Sequence, residues 1–143
     1  MSLDAIKTRF IDEIKLRGYD DKYLDKNEER EILQIAIHQG IGIEAARVAL
    51  AQVCEQEDYV VESGLIRQIQ DQCEAATAND GRIDRPLFEQ IVAKASTAVR
   101  GRKNEREIRR LIVHVMEDHA LNKVKTGWLN NWYAAMKRDL GVS

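Results

Sequence analysis

Two stretches of the chain carry the same residues at the same spacing. Asp21-Lys22-Tyr23-Leu24-Asp25 is followed by Ile32-Leu33 and Ala36, and Asp80-Gly81-Arg82-Ile83-Asp84 by Ile91-Val92 and Ala95, every matched pair lying 59 positions apart. Recurrence at a fixed offset is the mark of a tandem unit, and a helical unit of this length buries its apolar face only against further helices. The match continues at slightly larger offsets. Val53-Cys54-Glu55 aligns with Val115-Met116-Glu117 at 62, and Ser63-Gly64-Leu65-Ile66 with Thr126-Gly127-Trp128-Leu129 at 63, a drift that loop insertions produce. The expectation is a duplicated helical chain, with unrelated amphipathic helices in similar order as the alternative.

The 143 residues suit one compact domain, and a single proline, eight glycines and 32% charged residues leave no composition for a long linker or a disordered region. The expected organisation is a single domain over 1–143, with an N-terminal helix at 1–18 and repeat units at 20–78 and 79–140. Net charge is −2, but it is unevenly spread: residues 1–72 hold 15 acidic against 9 basic side chains, and residues 73–143 hold 9 against 13. The chain is polarised along its length.

The apolar spacing predicts seven helices in one irregular all-α bundle and no strand. Ser2 caps a first helix with Leu3, Ile6, Phe10 and Ile14 on one face and Gly18 as its stop. Asp25 and Glu28 form a capping box for a second, carrying Ile32, Leu33, Ala36 and Ile37 and ended by Gly40. A third runs from Ile43 through Ala46, Leu50 and Val53. Ser63 caps a fourth with Leu65, Ile66, Ile69 and Cys73, fading near Ala78. Asp84 and Pro86 start a fifth with Phe88, Ile91, Val92, Ala95 and Val99. Asn104 and Glu107 open a sixth with Ile108, Leu111, Ile112, Val115 and Met116. Thr126 caps the last, with Trp128, Leu129, Trp132, Tyr133, Met136 and Leu140, ended by Gly141. Trp128 and Trp132 read as the anchor by which that helix docks, a base or peptide platform being the alternative.

An aliphatic residue followed by Asp before a helix also has the form of the centre of a calcium loop. Placing Leu24 and Ile83 at loop position 8 makes Asp21 and Asp80 position 5, Asp25 and Asp84 position 9, and Glu28 and Leu87 position 12. The outer positions then fail, since Arg17 and Tyr19 in one loop, and Ala76 and Ala78 in the other, offer no carboxylate. The second loop keeps Gly81 but lacks the bidentate Glu; the first keeps Glu28 but has Lys22 in place of glycine. Each loop therefore holds half a ligand set. Capping by aspartate explains Asp25 and Asp84 but not Asp21 or Asp80, nor the further acids Asp20, Glu28 and Glu29. Were the two loops to converge about a pseudo-twofold axis, they would offer about four to six carboxylate oxygens to one divalent cation such as calcium.

Ala78-Asn79-Asp80-Gly81-Arg82-Ile83-Asp84 through Phe88-Glu89-Gln90-Ile91 resembles the A-D-G-x-I-D-x-x-E signature of the TerB-like (tellurite-resistance) helical family, and Tyr23-Leu24-Asp25 with Glu28-Glu29 and Ile32-Leu33 resembles a second copy. The resemblance covers residues 20–140. It implies a duplicated helical fold, an acidic surface with divalent-cation affinity, and a non-enzymatic role in stress response or at the membrane periphery. It reaches Asp80 and Asp84, and then Asp21, Asp25, Glu28 and Glu29. Asn79 and Pro86-Leu87 depart from it, where acids are usual, and weaken the second loop. A degenerate EF-hand-like pair describes the same residues.

Arg100, Arg102, Lys103, Arg106, Arg109 and Arg110 cluster at the start of the sixth helix, where side chains and free N–H groups can hold an anion. Glu105 and Glu107 dilute the cluster and no aromatic is interleaved, so it reads as a solvated face or a contact for an acidic partner protein, with nucleic acid as the alternative. Enzyme chemistry lacks its signatures: His38, His114 and His119 match no metal pattern, and there is no GxSxG, P-loop or GxGxxG. Cys54 and Cys73 read as small buried residues. No apolar run suits a signal peptide or a membrane span, which places the chain in the cytoplasm by expectation. The resulting expectation is a non-enzymatic binding module, with protein interaction first and weak calcium binding second.

Overall fold

The structure, a computed structural model, describes residues 2–17, 21–127 and 131–142, with the side chains of Arg17, Asn79 and Asp80 outside that description. The fold is all-α, with seven helices among the described residues. Contacts divide the chain into two compact units, Met1–Ser63 and Gly64–Ser143. That division falls earlier than the repeat boundary drawn from sequence at 78/79, because the fourth helix belongs almost wholly to the second unit.

In the first unit, α1 (Leu3–Arg17) starts where the Ser2 hydroxyl accepts the Ala5 N–H at 3.1 Å, and turns Ile6, Phe10 and Ile14 inward. Gly18, the expected stop, lies outside the described residues. A short strand β1 (Tyr23–Leu24) leads into α2 (Lys26–His38), then α3 (Ile43–Gln56) and β2 (Val60–Val61). α1 packs on α3 and α2, and their inward side chains form one core with Leu24, Ile32, Leu33, Ala36, Leu50, Val53 and Cys54. Fully burying such an aliphatic side chain stabilises by about 1.5–3 kcal/mol.

In the second unit, α4 (Glu62–Asp80) is followed by a turn at Gly81 and then by α5 (Arg85–Val99), α6 (Glu105–Asp118) and α7 (Trp132–Leu140). α6 packs on both α5 and α7. Phe88, Ile91, Val92, Ala95, Ile108, Ile112, Met116 and Trp132 are buried, and the Trp132 ring lies 5.5 Å from that of Phe88.

Three expectations need correction. Strand pairing is present: β1 runs parallel to β2 in the register Tyr23↔Val60 and Leu24↔Val61, and Ile83 bridges Val124 in parallel. Pairs this short leave no period-2 signature, and the tertiary fold alone creates them. Ser63 is not the cap of α4, which begins at Glu62 directly after the paired Val60–Val61, and the helix runs past Ala78 to Asp80. Nor does Thr126 cap the last helix. Ile83 donates to the Lys123 carbonyl and accepts from the Lys125 N–H, both at 2.8 Å, which holds 123–125 extended. The Trp132 indole N–H then donates to the Lys125 carbonyl at 3.0 Å, and Asn131 caps α7 by accepting from Ala134 N–H. Trp128 and Leu129, placed on this helix from sequence, lie outside the described residues.

Candidate functional site

The acidic turn of the first unit is built from its helix start. Asp25 has extended backbone and caps α2: its Oδ1 accepts the Glu28 N–H at 2.8 Å, and Glu28 Oε1 accepts the Asp25 N–H at 3.0 Å, closing the expected capping box. Asp21 Oδ1 accepts the Tyr23 N–H at 3.2 Å, a local turn that supplies the structural role sequence reasoning did not find for it. Burial lifts the Glu28 carboxyl above its ordinary range; the Asp25 N–H opposes this, and the charges of Asp25 and Asp21 add to it. Three carboxyl groups thus feel one another, with an oxygen of each engaged by backbone. Asp20 lies outside the described residues, and Glu29 stands in the first turn of α2.

In the second unit, Asp84 caps α5 by accepting the Leu87 N–H at 2.9 Å, with Pro86 in the first turn. The Asp80 side chain, the other candidate ligand there, lies outside the described residues. Among the described residues no group of three or more His, Cys, Asp or Glu side chains is placed to hold a metal ion.

The basic cluster separates into two populations. Arg109 is committed internally: Nη1 and Nη2 donate to the two Glu89 carboxylate oxygens at 2.9 and 2.7 Å, tying α6 to α5, while Nη2 and Nε reach Glu105 Oε1 at 2.7 and 3.2 Å. That pairing holds the Glu89 carboxyl below its ordinary value. Lys103 pairs with Glu107 at 3.4 Å, and Arg102 Nη1 donates to the carbonyl of Arg100, which has a left-handed backbone at the end of α5. Arg106 and Arg110 are different. They sit one turn apart on the exposed face of α6, without an ion pair among the described residues, and exposed His114 extends the same stripe. The sequence marked all six cations alike. Only the packing of α5 on α6 shows that Arg109 is consumed, although Glu105 at i−4 was a visible partner.

The α6–α7 contact holds a second polar network missed from sequence. Glu117 Oε1 accepts from Lys137 Nζ at 2.6 Å and Tyr133 OH at 3.0 Å, and Oε2 accepts from Asn122 at 2.6 Å. Hydrogen bonding to Lys137 is the main reason the Glu117 carboxyl sits below its usual range. Burial pushes the Cys54 thiol up to about 12 and the Cys73 thiol to about 11; both are free and buried, an environment that suppresses thiolate chemistry.

No family model matches the chain, and no curated protein or solved structure matches it. No helix among the described residues is long and apolar enough to cross a membrane.

Proposed function

We propose that the protein acts by binding rather than catalysis, and that the exposed stripe of α6 is its contact for an acidic partner protein. The observation that carries this reading is the pair Arg106 and Arg110, exposed and without an ion pair among the described residues while the neighbouring Arg109 and Lys103 are neutralised by glutamates. The second unit as a whole is basic, with 14 Lys and Arg against 10 Asp and Glu in residues 64–143. Two guanidinium groups on one rigid helix face steer and orient an anionic surface. Affinity capture with the native chain and with Arg106→Glu/Arg110→Glu tests the assignment: partners should be lost with the double variant and by added salt. Every partner remaining bound would remove α6 as the contact. Nucleic acid is the other anion such a stripe serves, and a mobility shift that weakens steeply with salt would transfer the reading to it.

The acidic turn supports a second activity, weak divalent-cation binding of the TerB-like or EF-hand-like kind. Its specific support is Glu28, whose charge is disfavoured by burial and by Asp25 and Asp21, a penalty that a dication relieves. Calorimetric titration with calcium should give heat that Asp21→Asn removes; no heat, or heat unchanged by that variant, ends the reading.

We also read the chain as two copies of one unit. In support, the C-terminal turns of α3 and α6 carry the same three hydrogen bonds 62 positions apart. Glu57, Asp58 and Tyr59 donate to Val53, Glu55 and Cys54, as His119, Ala120 and Leu121 donate to Val115, Glu117 and Met116.

A further inference from the structure

α3 carries apolar residues on two sides. Ala46, Ala49, Leu50, Val53 and Cys54 face the core under α1 and α2, while Val48 is 58% exposed and Ala45 is exposed beside it. Covering an aliphatic side chain of that size is favourable, by about 25 cal/mol for each Å² removed from water. The outer side forms the floor of a shallow groove of about 410 Å³ between α1 and α3, lined by Leu3, Lys7, Glu44, Ala45, Val48 and Gln52. Leu3 is itself 47% exposed, so two large aliphatic side chains stand in water at one groove.

We propose that this groove is covered by the same groove of a second copy of the chain, in a two-fold dimer. An isologous interface must be complementary to itself, each residue type meeting its counterpart across the axis. The lining satisfies this: an aliphatic centre of Leu3 and Val48 is flanked by one cation, Lys7, and one anion, Glu44. Lys7 has no ion pair among the described residues, and Glu44 reaches only Arg47 at 3.8 Å, both of those side chains being mostly exposed. Each groove therefore offers a lysine and a glutamate whose opposite number is present on an identical surface. The small side chain of Ala45 lets a second helix approach closely. The first unit is acidic, 14 Asp and Glu against 8 Lys and Arg in residues 1–63, so two copies repel at long range. The apolar contact then supplies the affinity, and the Lys7–Glu44 pairs set the register.

Sedimentation of the full chain over a concentration series tests this independently of the α6 stripe, which lies on the other unit. The expected result is a reversible dimer. Val48→Glu should abolish it, and Lys7→Glu or Glu44→Lys should each weaken it by roughly tenfold by placing like charges together. The double variant Lys7→Glu/Glu44→Lys should restore the native constant to within about threefold, as only facing charges allow. Lys7, Glu44 and Val48 are all at least partly exposed, and circular dichroism of each variant verifies that the helices remain. A chain monomeric at every concentration, a dimer indifferent to Val48→Glu, or a double variant as weak as the two single effects combined would each overturn the proposal.

Discussion

Residues 22–25 and 81–84 take the same backbone path. Lys22 and Gly81 are both left-handed, with φ of 56° and 76°; Leu24 and Ile83 both pair in parallel with a valine ahead of a later helix; Asp25 and Asp84 both cap at ψ near 170°, 172° and 171°. The surfaces built on this shared frame differ. Sixty-two positions separate Glu44, Val48 and Gln52 on α3 from Arg106, Arg110 and His114 on α6, and all six are exposed. One helix face carries an acid, an aliphatic residue and an amide; the other is basic. The two turns thus share a backbone geometry, whereas the helix faces that follow them differ in charge.

Truncating the paired aliphatic residue in each unit puts the shared frame under the greatest load. Leu24 and Ile83 are both fully buried, so Leu24→Ala and Ile83→Ala should each destabilise by about 2–4 kcal/mol in urea unfolding. Similar losses support equivalent roles. A loss below about 1 kcal/mol at either position would show that its pairing is incidental.

This residue pair also marks how far the sequence carries. Caps and apolar stripes were legible because each depends on neighbours within a turn: Ser2, Asp25, Asp84 and Asn104 all cap where their spacing indicates. The strand pairings were not, since Leu24 meets Val61 and Ile83 meets Val124 only through the path of intervening helices. Thr126 misled for the same reason: a plausible local cap is overridden once 123–125 is held extended. Among the candidate site residues, sequence found the acids and the cations, but it could not tell Arg109, bound to Glu89 twenty residues away, from the exposed Arg106 and Arg110.

Charge separates the units next. Arg109→Gln leaves Glu89 and Glu105 without their shared partner and should cost about 1–2 kcal/mol, solvent at the half-exposed glutamates keeping it below the range of a buried pair. The pH response should run in opposite directions. Glu89 and Glu117 have folded values below 4.5, so their stabilisation is present above 4.5 and is lost as the pH falls through those folded values. Glu28 has a folded value above 4.5, so its contribution is complete below 4.5 and is lost as the pH rises through it. Both tryptophans lie in the second unit's sequence, so their fluorescence follows that unit, while amide exchange in α2 follows the first. Acid should weaken the tryptophan-monitored transition, and Arg109→Gln should flatten that dependence; Glu28→Gln should flatten the opposite trend in α2. The same sign in both units would contradict the assignment.

Removing the caps tests whether the two helix starts are equally dependent on their aspartates. Asp25→Ala and Asp84→Ala should each cost about 1 kcal/mol. Asp25→Ala should cost the smaller share, because it also removes a charge that disfavours ionised Glu28, whereas Asp84 has no such acid at the third helical position, where Leu87 stands. Thermal unfolding of the two variants at neutral pH orders them, and a larger loss at Asp25 would reverse the comparison.

The smallest effect is at the left-handed position, where the units use different residues for one conformation. Gly81 adopts φ 76°, and a Cβ added there would have no neighbour within 4 Å. Gly81→Ala therefore meets no clash and should cost only the backbone strain of a left-handed alanine, about 1 kcal/mol. Lys22 already bears that strain. It is offset by contacts of the side chain, whose Nζ lies 4.9 Å from the Tyr59 ring centre and 3.4 Å from the Glu57 carbonyl. Lys22→Gly relieves strain but removes a cation–π contact of about 0.5–1 kcal/mol at an exposed site, so its net change should stay within about 0.5 kcal/mol of zero. Denaturant midpoints resolve the two cases. A clear gain from Lys22→Gly would mean that the lysine contacts contribute nothing and that glycine suits both turns; a clear loss would mean that Lys22 holds α3's end to the first turn more firmly than Gly81 requires of its own surroundings.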